Sequence, residues 1–492
     1  MSESLRVWFL ASEVAPFAKT GGLADVAGAL PSALKKLGVD VRVGLPFYRM
    51  VRDGGFATRM IRERLKVPLG EKTLVGDVLE TATEGGVPVY LFDLEDIFDQ
   101  PELYGTPEGD YADNLERFAY FCRAALLFAK EAGLHFDVVH CHDWQTGLIP
   151  AYLKTLYRED PALSHVASVF TVHNVGYQGL FPADKLAACG LPATEFGPEG
   201  IEYWGKISLL KAGIVYADAI TTVSPMYSRE IQTPEFGLGM DGTLKRRSAD
   251  LYGILNGADY SIWNPATDRH IRANYSLGDM KGKAECKSDL IHEVGLDQRL
   301  AGRPVLGIIS RLAAQKGHDL LARIAEHVVR LDAGLVILGA GEEKYQTLLS
   351  ELGQKYPENM AVMIRFDEPL AHRIMAGADM LLVPSRYEPC GLTQIYALRY
   401  GTVPIVRATG GLDDTIEQFD PKSGEGTGFK FADHEAGAFL EEIKEAVKVY
   451  DDKTSWKKLV KNGMRADFSW EESAGKYVLL YEKVAKRALP IC

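Results

Sequence analysis

Two series of short apolar runs, most of them followed by a helical pattern, dominate the chain and leave it few folds to adopt. In the first series, Leu5 to Ala11 precedes an amphipathic stretch at Leu23 to Leu37 and a second run at Val39 to Leu45. Runs at Val87 to Phe92, Asp137 to His140, Ser168 to Val172 and Ala219 to Val223 continue it, with helical patterns at Asn114 to Glu131, Thr146 to Tyr157 and Tyr203 to Tyr216. Strands alternating with helices signal βαβ units, so these runs are expected to share one largely parallel sheet. A second series begins near Pro304, with runs at Val305 to Ile309, Gly334 to Leu338, Ala361 to Arg365, Met380 to Val383 and Val403 to Val406. It predicts a second α/β sheet. Between the two lies Asn256 to Asp297, marked by Asn256-Gly257 and Asn264-Pro265 turn signals. A length of 492 residues exceeds the roughly 250–300 at which one core stops growing. Two domains are therefore expected, residues 1–255 and 256–470, with a last helix over 471–492 packing back onto the first.

Composition narrows the function without naming it. Apolar content of 47% and charged content of 25% are ordinary for a globular enzyme. A net charge of -12 argues against broad binding to nucleic acid or anionic membrane, which require a basic face, but leaves room for a local basic pocket. Six cysteines without a C-x-x-C pair form neither a disulfide framework nor a zinc pattern, which fits a reducing compartment. The amino terminus lacks the pattern of a signal peptide, and no apolar run reaches the ~18 residues that cross a bilayer. The expectation is a cytoplasmic protein, or one of the plastid interior if a transit peptide has been removed.

In open parallel sheets ligands bind outside the carboxyl ends of the strands, so function is sought where apolar runs end in polar, glycine-marked turns. Three stretches qualify. In KTGGLADV, residues 19–26, Gly21 and Gly22 precede a helix whose first amides can face an anion, and Lys19 adds a mobile positive charge. Neither the G-x-G-x-x-G nor the Walker A spacing is present, and a tight turn with a solvated lysine reads the same way. In ISRLAAQKGHDLL, residues 309–321, Arg311 ends a strand and Lys316 stands one loop later. Two cations at such a rim suit a departing nucleoside diphosphate, and either alone reads equally as surface charge. In SRYEPCGLTQ, residues 385–394, Glu388 can accept sugar hydroxyls while amides after Gly391, at Leu392 and Thr393, can hold phosphate oxygens. A capping carboxylate would look similar. Cys390 has no companion base nearby and reads as a packed thiol rather than a nucleophile.

VFTVHNVGYQGLF, residues 169–181, closes on His173 and Asn174, and DVVHCHDW closes on His140, His142 and Asp143. No matching carboxylate cluster accompanies the histidines, so no metal is expected. Asp143 and Glu13 can bind acceptor hydroxyls or merely cap the helices that follow. Tyr104, Trp144, Tyr177 and Phe181 suit sugar stacking, with core packing as the default for any one of them.

Further fragments follow in a fixed order: DNLERF (113–118), LKAGIVYADAITTVSP (210–225), FGLGMDGTL (236–244), GILNGADYSIWNPATD (253–268), YGTVPIVRATGGLDDT (400–415) and GTGF (426–429). With the three motifs, and over nearly the whole chain, they resemble the bacterial glycogen synthase and plant starch synthase family that uses ADP-glucose. The resemblance implies α/β architecture with two Rossmann-like domains facing across a deep cleft, the GT-B glycosyltransferase arrangement. It puts the nucleotide-sugar donor mainly on the second domain and the glucan acceptor mainly on the first. By position, Lys19 looks like the family's ADP-glucose-binding lysine, with Gly21, Gly22 and Asp25 in the same donor turn. His173 matches the active-site histidine beside the donor glucose, and Arg311 and Lys316 the pair that neutralises the leaving ADP. Glu388 matches the carboxylate that positions the donor, with Gly391, Leu392 and Thr393 beside it. Glu13, Asp143, Asn174 and Tyr104 are similar to residues on the glucose-proximal or acceptor side.

The implied reaction moves glucose from ADP-glucose to the non-reducing 4-hydroxyl of an α-1,4-glucan and keeps the α configuration, with no metal or other cofactor. An enzyme that makes ADP-glucose and a branching enzyme are its implied companions, with no oligomeric state implied. Ser208 stands where the family often has asparagine, and Cys286-Lys287 where it often has N-K. The wider fold group often carries a second glutamate eight places after the first, where this chain has Tyr396. Same-face attack through an ion-pair-like state is therefore expected rather than a two-carboxylate route. Three other readings remain open: a transferase of the same fold with another donor, such as UDP-glucose, or another acceptor; a non-catalytic glucan-binding or regulatory protein; and a dinucleotide oxidoreductase, which the missing fingerprint disfavours.

Overall fold

The strand Arg6–Leu10, buried at all but its first residue, lies inside a nine-stranded sheet in the computed structural model, which describes residues 4–106 and 108–488. Arg6–Leu10 pairs in parallel with Asp40–Pro46 on one side and with Val138–His142 on the other. Beyond Asp40–Pro46 the sheet continues through Pro88–Asp93; beyond Val138–His142 it continues through Ala167–Val172, Ala219–Thr222 and Leu251–Gly253. Strand order thus reverses between Arg6–Leu10 and Val138–His142. Every residue of Val138–His142 and Ala167–Val172 is buried, because helices cover both faces of a parallel sheet.

An antiparallel hairpin, Arg59–Leu69 and Lys72–Ala82, extends the Pro88–Asp93 edge. No strand was expected there, since five of the eleven residues of RMIRERLKVPL are charged and exposed and only Leu65, Val67 and Leu69 alternate inward. The helix expected from Tyr203 begins instead at Leu209 and runs to Tyr216. Trp204 (φ 50°) and Gly205 (φ 75°) turn a short hairpin before it, and Ser208 then caps the helix by accepting the Lys211 amide at 3.1 Å. Asparagine caps as well as serine does, so the Ser208 departure preserves the cap. The stretch expected as a helix from Thr146 to Tyr157 is a one-turn 3₁₀ segment, Trp144–Thr146, followed by Leu148–Lys154.

Residues 4–257 and 470–488 form one unit and residues 258–469 a second. The helix Trp470–Ala488 joins the first unit through Ser473, whose hydroxyl donates to the Leu255 carbonyl at 2.6 Å. Residues 489–492, including Cys492, lie outside the described residues. The second unit holds a six-stranded parallel sheet in the order Met360–Ile364, Gly334–Gly339, Val305–Ile309, Met380–Val383, Val403–Arg407, Phe429–Phe431. In chain order this is 3-2-1-4-5-6, the Rossmann arrangement, reversing between Val305–Ile309 and Met380–Val383. The short edge strand Phe429–Phe431 adds to the five expected. The helix His318–Arg330 lays Leu320, Leu321, Ile324, Ala325 and Val328 on this sheet at three- and four-residue spacing. Both units are Rossmann-like, in an α/β chain of the GT-B type. Among the described residues no helix is long and apolar enough to cross a membrane.

Candidate active site

In the second unit, the loops after Val305–Ile309 and Met380–Val383 enclose a cavity of about 170 Å³ at the point of strand reversal. Arg311, Lys316, Ser385, Glu388, Leu392 and Thr393 line it. Lys316 Nζ donates to Glu388 Oε2 at 2.6 Å, and the Ser385 hydroxyl donates to the same oxygen at 2.8 Å. Both partners are largely buried, so the pair keeps the cavity floor neutral while holding two opposite charges in place. The Arg311 side chain is exposed at the rim and has no hydrogen bond or ion pair to the described residues.

The two loops are laced together by backbone. The Arg386 amide donates to the Gln315 carbonyl at 2.7 Å, and Gln315 Nε2 to the Tyr387 carbonyl at 3.0 Å. Gly317 makes the approach possible: its φ is 72°, and a Cβ there would lie 2.0 Å from the Pro384 carbonyl oxygen. Gly411, which the sequence reading left without a role, lets the Glu388 loop settle. Its amide donates to the Glu388 carbonyl at 3.0 Å, and a Cβ on it would lie 2.1 Å from the Cys390 carbonyl oxygen. The doubled glycine at 410–411 before a helix was its signal. Cys390 itself is buried. Tyr396 stacks on Trp263 with ring centroids 4.5 Å apart, so the position eight places after Glu388 is part of the core.

The first unit assembles a different set. Glu13, 5% exposed, accepts the Thr20 amide at 2.6 Å and the Gly21 amide at 3.1 Å on one oxygen. Its other oxygen accepts the Thr20 hydroxyl at 2.7 Å and the Tyr104 hydroxyl at 2.8 Å. A carboxylate has about four acceptor positions, and all are engaged, so a sugar hydroxyl reaching Glu13 would share or displace one. Glu13 and Tyr104 thereby frame the glycine turn. Gly21 and Gly22 have extended or helical backbone, and a Cβ at either would meet nothing within 4 Å. Nothing in the fold requires glycine at either place, and the first amides of Gly22–Lys36 have no side-chain cap. Lys19 lies alongside, half exposed, paired with Asp25 at 2.6 Å.

Asp143 and His173 end neighbouring strands. Asp143, at φ 56°, accepts the His173 amide at 2.7 Å. Burial, with the charge of Glu13 adding to it, pushes the Asp143 carboxyl up to about 7 despite that hydrogen bond. Burial also lowers His173 to about 3, leaving the ring neutral. His173 Nε2 lies 2.9 Å from His142 Nδ1. The Asn174 side chain caps its own turn by accepting the Gly176 amide at 2.9 Å. Trp144 covers Gly179 and packs against Phe118, Phe181 and Tyr104, while Tyr177 is 53% exposed. Among the described residues no three His, Cys, Asp or Glu side chains are arranged to hold a metal ion.

Comparison with known proteins follows the same division. A family described as the starch synthase catalytic domain matches residues 6–246, and one described as glycosyl transferases group 1 matches residues 297–463. A glycogen synthase of Koribacter versatilis (strain Ellin345) is 48% identical over 487 residues, covering 99% of this chain and 100% of its own. A glycogen synthase of Geotalea uraniireducens (strain Rf4) is 49% identical over 485 residues, covering 98% and 99%. Among solved structures, the catalytic domain of starch synthase IV from Arabidopsis thaliana, bound to ADP and acarbose, superposes with a TM-score of 0.91 at 34% identity. It covers 98% of this chain and 100% of its own.

Proposed function

The chain belongs to the glycogen and starch synthase family of glycosyltransferases, and we propose that it transfers glucose from ADP-glucose to the non-reducing 4-hydroxyl of an α-1,4-glucan with retention of configuration. The observation that carries this reading is the cavity at the strand reversal of the second unit, where Arg311, Lys316 and Glu388 converge. Departure of ADP leaves new negative charge on a phosphate oxygen. Fixed cations in a site sheltered from water stabilise such charge without reorganising. Arg311, unpaired among the described residues, can do so, and Lys316 is held nearby by Glu388. We assign this neutralisation to the two side chains rather than to a metal ion.

The bonding changes are a break between the anomeric carbon and the phosphate oxygen and a new bond from that carbon to the acceptor O4. The acceptor's proton passes to the departing phosphate on the same face. A two-carboxylate retaining route needs a nucleophile about 5–5.5 Å from its partner. Glu388 is engaged by Lys316 and Ser385, and Tyr396 is packed on Trp263. These support the ion-pair route. A neutral His173 adds no charge that would oppose a positive anomeric carbon. Gly21 and Gly22, bare of side chains for no reason of packing, supply a backbone surface for the donor's phosphates, with Lys19 beside it. The donor must come from an enzyme that makes ADP-glucose, and the linear product is a substrate for branching.

The test is to incubate the protein with glycogen and labelled ADP-glucose, and separately with labelled UDP-glucose, and to follow label into polymer. Label from ADP-glucose is the expected result. Transfer from UDP-glucose alone would overturn the donor assignment, and saturable glucan binding without ADP release would overturn the enzymatic one.

A further inference from the structure

Behind His173 the first unit carries a buried file of rings that the reaction above leaves unused. Tyr481, on the helix Trp470–Ala488, meets His140 Nδ1 at 2.7 Å, and His140 Nε2 meets the Thr171 hydroxyl at 2.6 Å. The His140 and His142 rings lie 4.1 Å apart, and His142 Nδ1 lies 2.9 Å from His173 Nε2. Phe9 covers His142 at 4.2 Å. His140 and His142 are fully buried.

A hydrogen bond between two neutral imidazoles contains one proton, so one ring donates and the other accepts. Two arrangements satisfy the 2.9 Å contact. In one, His173 donates from Nε2, and His142 must then carry its own proton on Nε2. In the other, His142 donates from Nδ1 and its Nε2 is bare. His142 Nε2 is buried and has no hydrogen-bond partner among the described residues. Orphaned buried N–H groups are rare, and bare acceptors are left unpaired somewhat more readily. The second arrangement therefore wins, and it leaves His173 protonated on Nδ1, the nitrogen that His142 does not hold.

We infer that His142 is a positioning residue that fixes His173 as its Nδ1–H tautomer, so that His173 meets a sugar hydroxyl as a hydrogen-bond donor. The contact with sugar rests on the transfer reading above; the tautomer does not. The neighbouring rings serve this arrangement. Phe9 and His140 pack His142 against rotation, and Tyr481 and Thr171 hold His140 at both nitrogens. A ring fixed from behind loses little freedom when it meets its ligand.

The experiment uses the full chain labelled with ¹⁵N-histidine. Its eleven histidines are separated by ring-nitrogen shifts, with His173 assigned by its loss in His173→Gln. In the wild type, His173 is expected with a protonated Nδ1 and a bare Nε2; a protonated Nε2 overturns the inference. His142→Leu removes the donor, and His142→Asn restores an amide near the lost Nδ1. His142→Leu should give His173 mixed tautomers and lower kcat about tenfold, the loss of one buried hydrogen bond, with ADP affinity unchanged. His142→Asn should recover most of both. An unchanged His173 tautomer in His142→Leu overturns the positioning role. If that variant does not fold, the wild-type shifts and His142→Asn still decide the matter. Absent transfer by the wild type would overturn the transfer reading and leave the tautomer to be read from its shifts.

Discussion

At the carboxyl ends of Arg6–Leu10, Val138–His142 and Ala167–Val172, the first unit gathers groups that are uncharged or already saturated: a neutral His173, an Asp143 whose carboxyl titrates near 7, and a Glu13 holding four donors. At the matching reversal of the second unit stand charges: the exposed Arg311 and the Lys316–Glu388 pair. The topology is the same and the chemistry opposite. Neutral, hydrogen-bonding walls suit a sugar near an electron-poor carbon, whereas fixed cations suit a departing phosphate. A Rossmann-like sheet supplies the position, and the residues at its strand ends decide the job.

The sharpest way to break this contrast is to remove a cation. Lys316→Ala should lower turnover by about 10²–10³, the usual cost of one transition-state charge partner, while glucan affinity stays near wild type. It also leaves Glu388 buried with Ser385 as its one remaining side-chain partner among the described residues, so stability should fall as well. Arg311→Ala separates the two effects, because Arg311 is exposed and unpaired among the described residues. It should fold like wild type and still lose turnover. Initial rates of transfer, glucan binding and melting temperature read the three quantities, and wild-type turnover in both variants would dissolve the division of roles.

The same contrast explains what the sequence could show. The central strands were legible because a parallel strand buried on both faces is an unbroken apolar run; Ala167–Val172 is buried throughout. The hairpin Arg59–Leu69 with Lys72–Ala82 was not, because its exposed face is written in charges that resemble a loop. The helix ending at Tyr216 is shorter than its apolar pattern predicts, because the turn at Trp204–Gly205 depends on backbone conformation rather than apolar period. In the candidate site, strand ends pointed to individual residues, but their pairings join distant positions. Lys316 and Glu388 stand 72 residues apart, and His142 and His173 stand 31 apart. No local pattern encodes such a contact. Gly411 was visible as a doubled glycine, yet its reason, the Cys390 carbonyl, exists only in the folded chain.

A second way to sharpen the contrast uses pH on the first unit alone. Between about pH 4 and 7 the folded chain holds a proton on Asp143 that the unfolded chain has released. Stability from this group is therefore fully present at low pH and is lost as pH rises through about 7, at up to about 1.4 kcal/mol per pH unit. Asp143→Asn keeps the shape and removes the titration. Denaturant midpoints measured from about pH 5 to 8 should fall less steeply in the variant. Identical slopes would mean that Asp143 is ionised throughout, and that the first unit's wall is charged like the second's.

The mildest test compares glycines that look alike in sequence. Gly317 of the second unit is required by the fold, since its backbone is left-handed and a side chain would strike the Pro384 carbonyl. Gly22 of the first unit is not, since a Cβ there meets nothing. Gly317→Ala should lower the melting temperature. Gly22→Ala should leave it unchanged and even favour the helix, because alanine is the better helix former. If Gly22 is bare so that phosphates can approach, the added methyl should raise the donor KM about tenfold, the loss of one close charge-assisted contact. Initial rates across donor concentrations check this beside a melting curve. A Gly22→Ala variant with unchanged donor KM would make the turn an ordinary helix start and confine donor recognition to the charged unit.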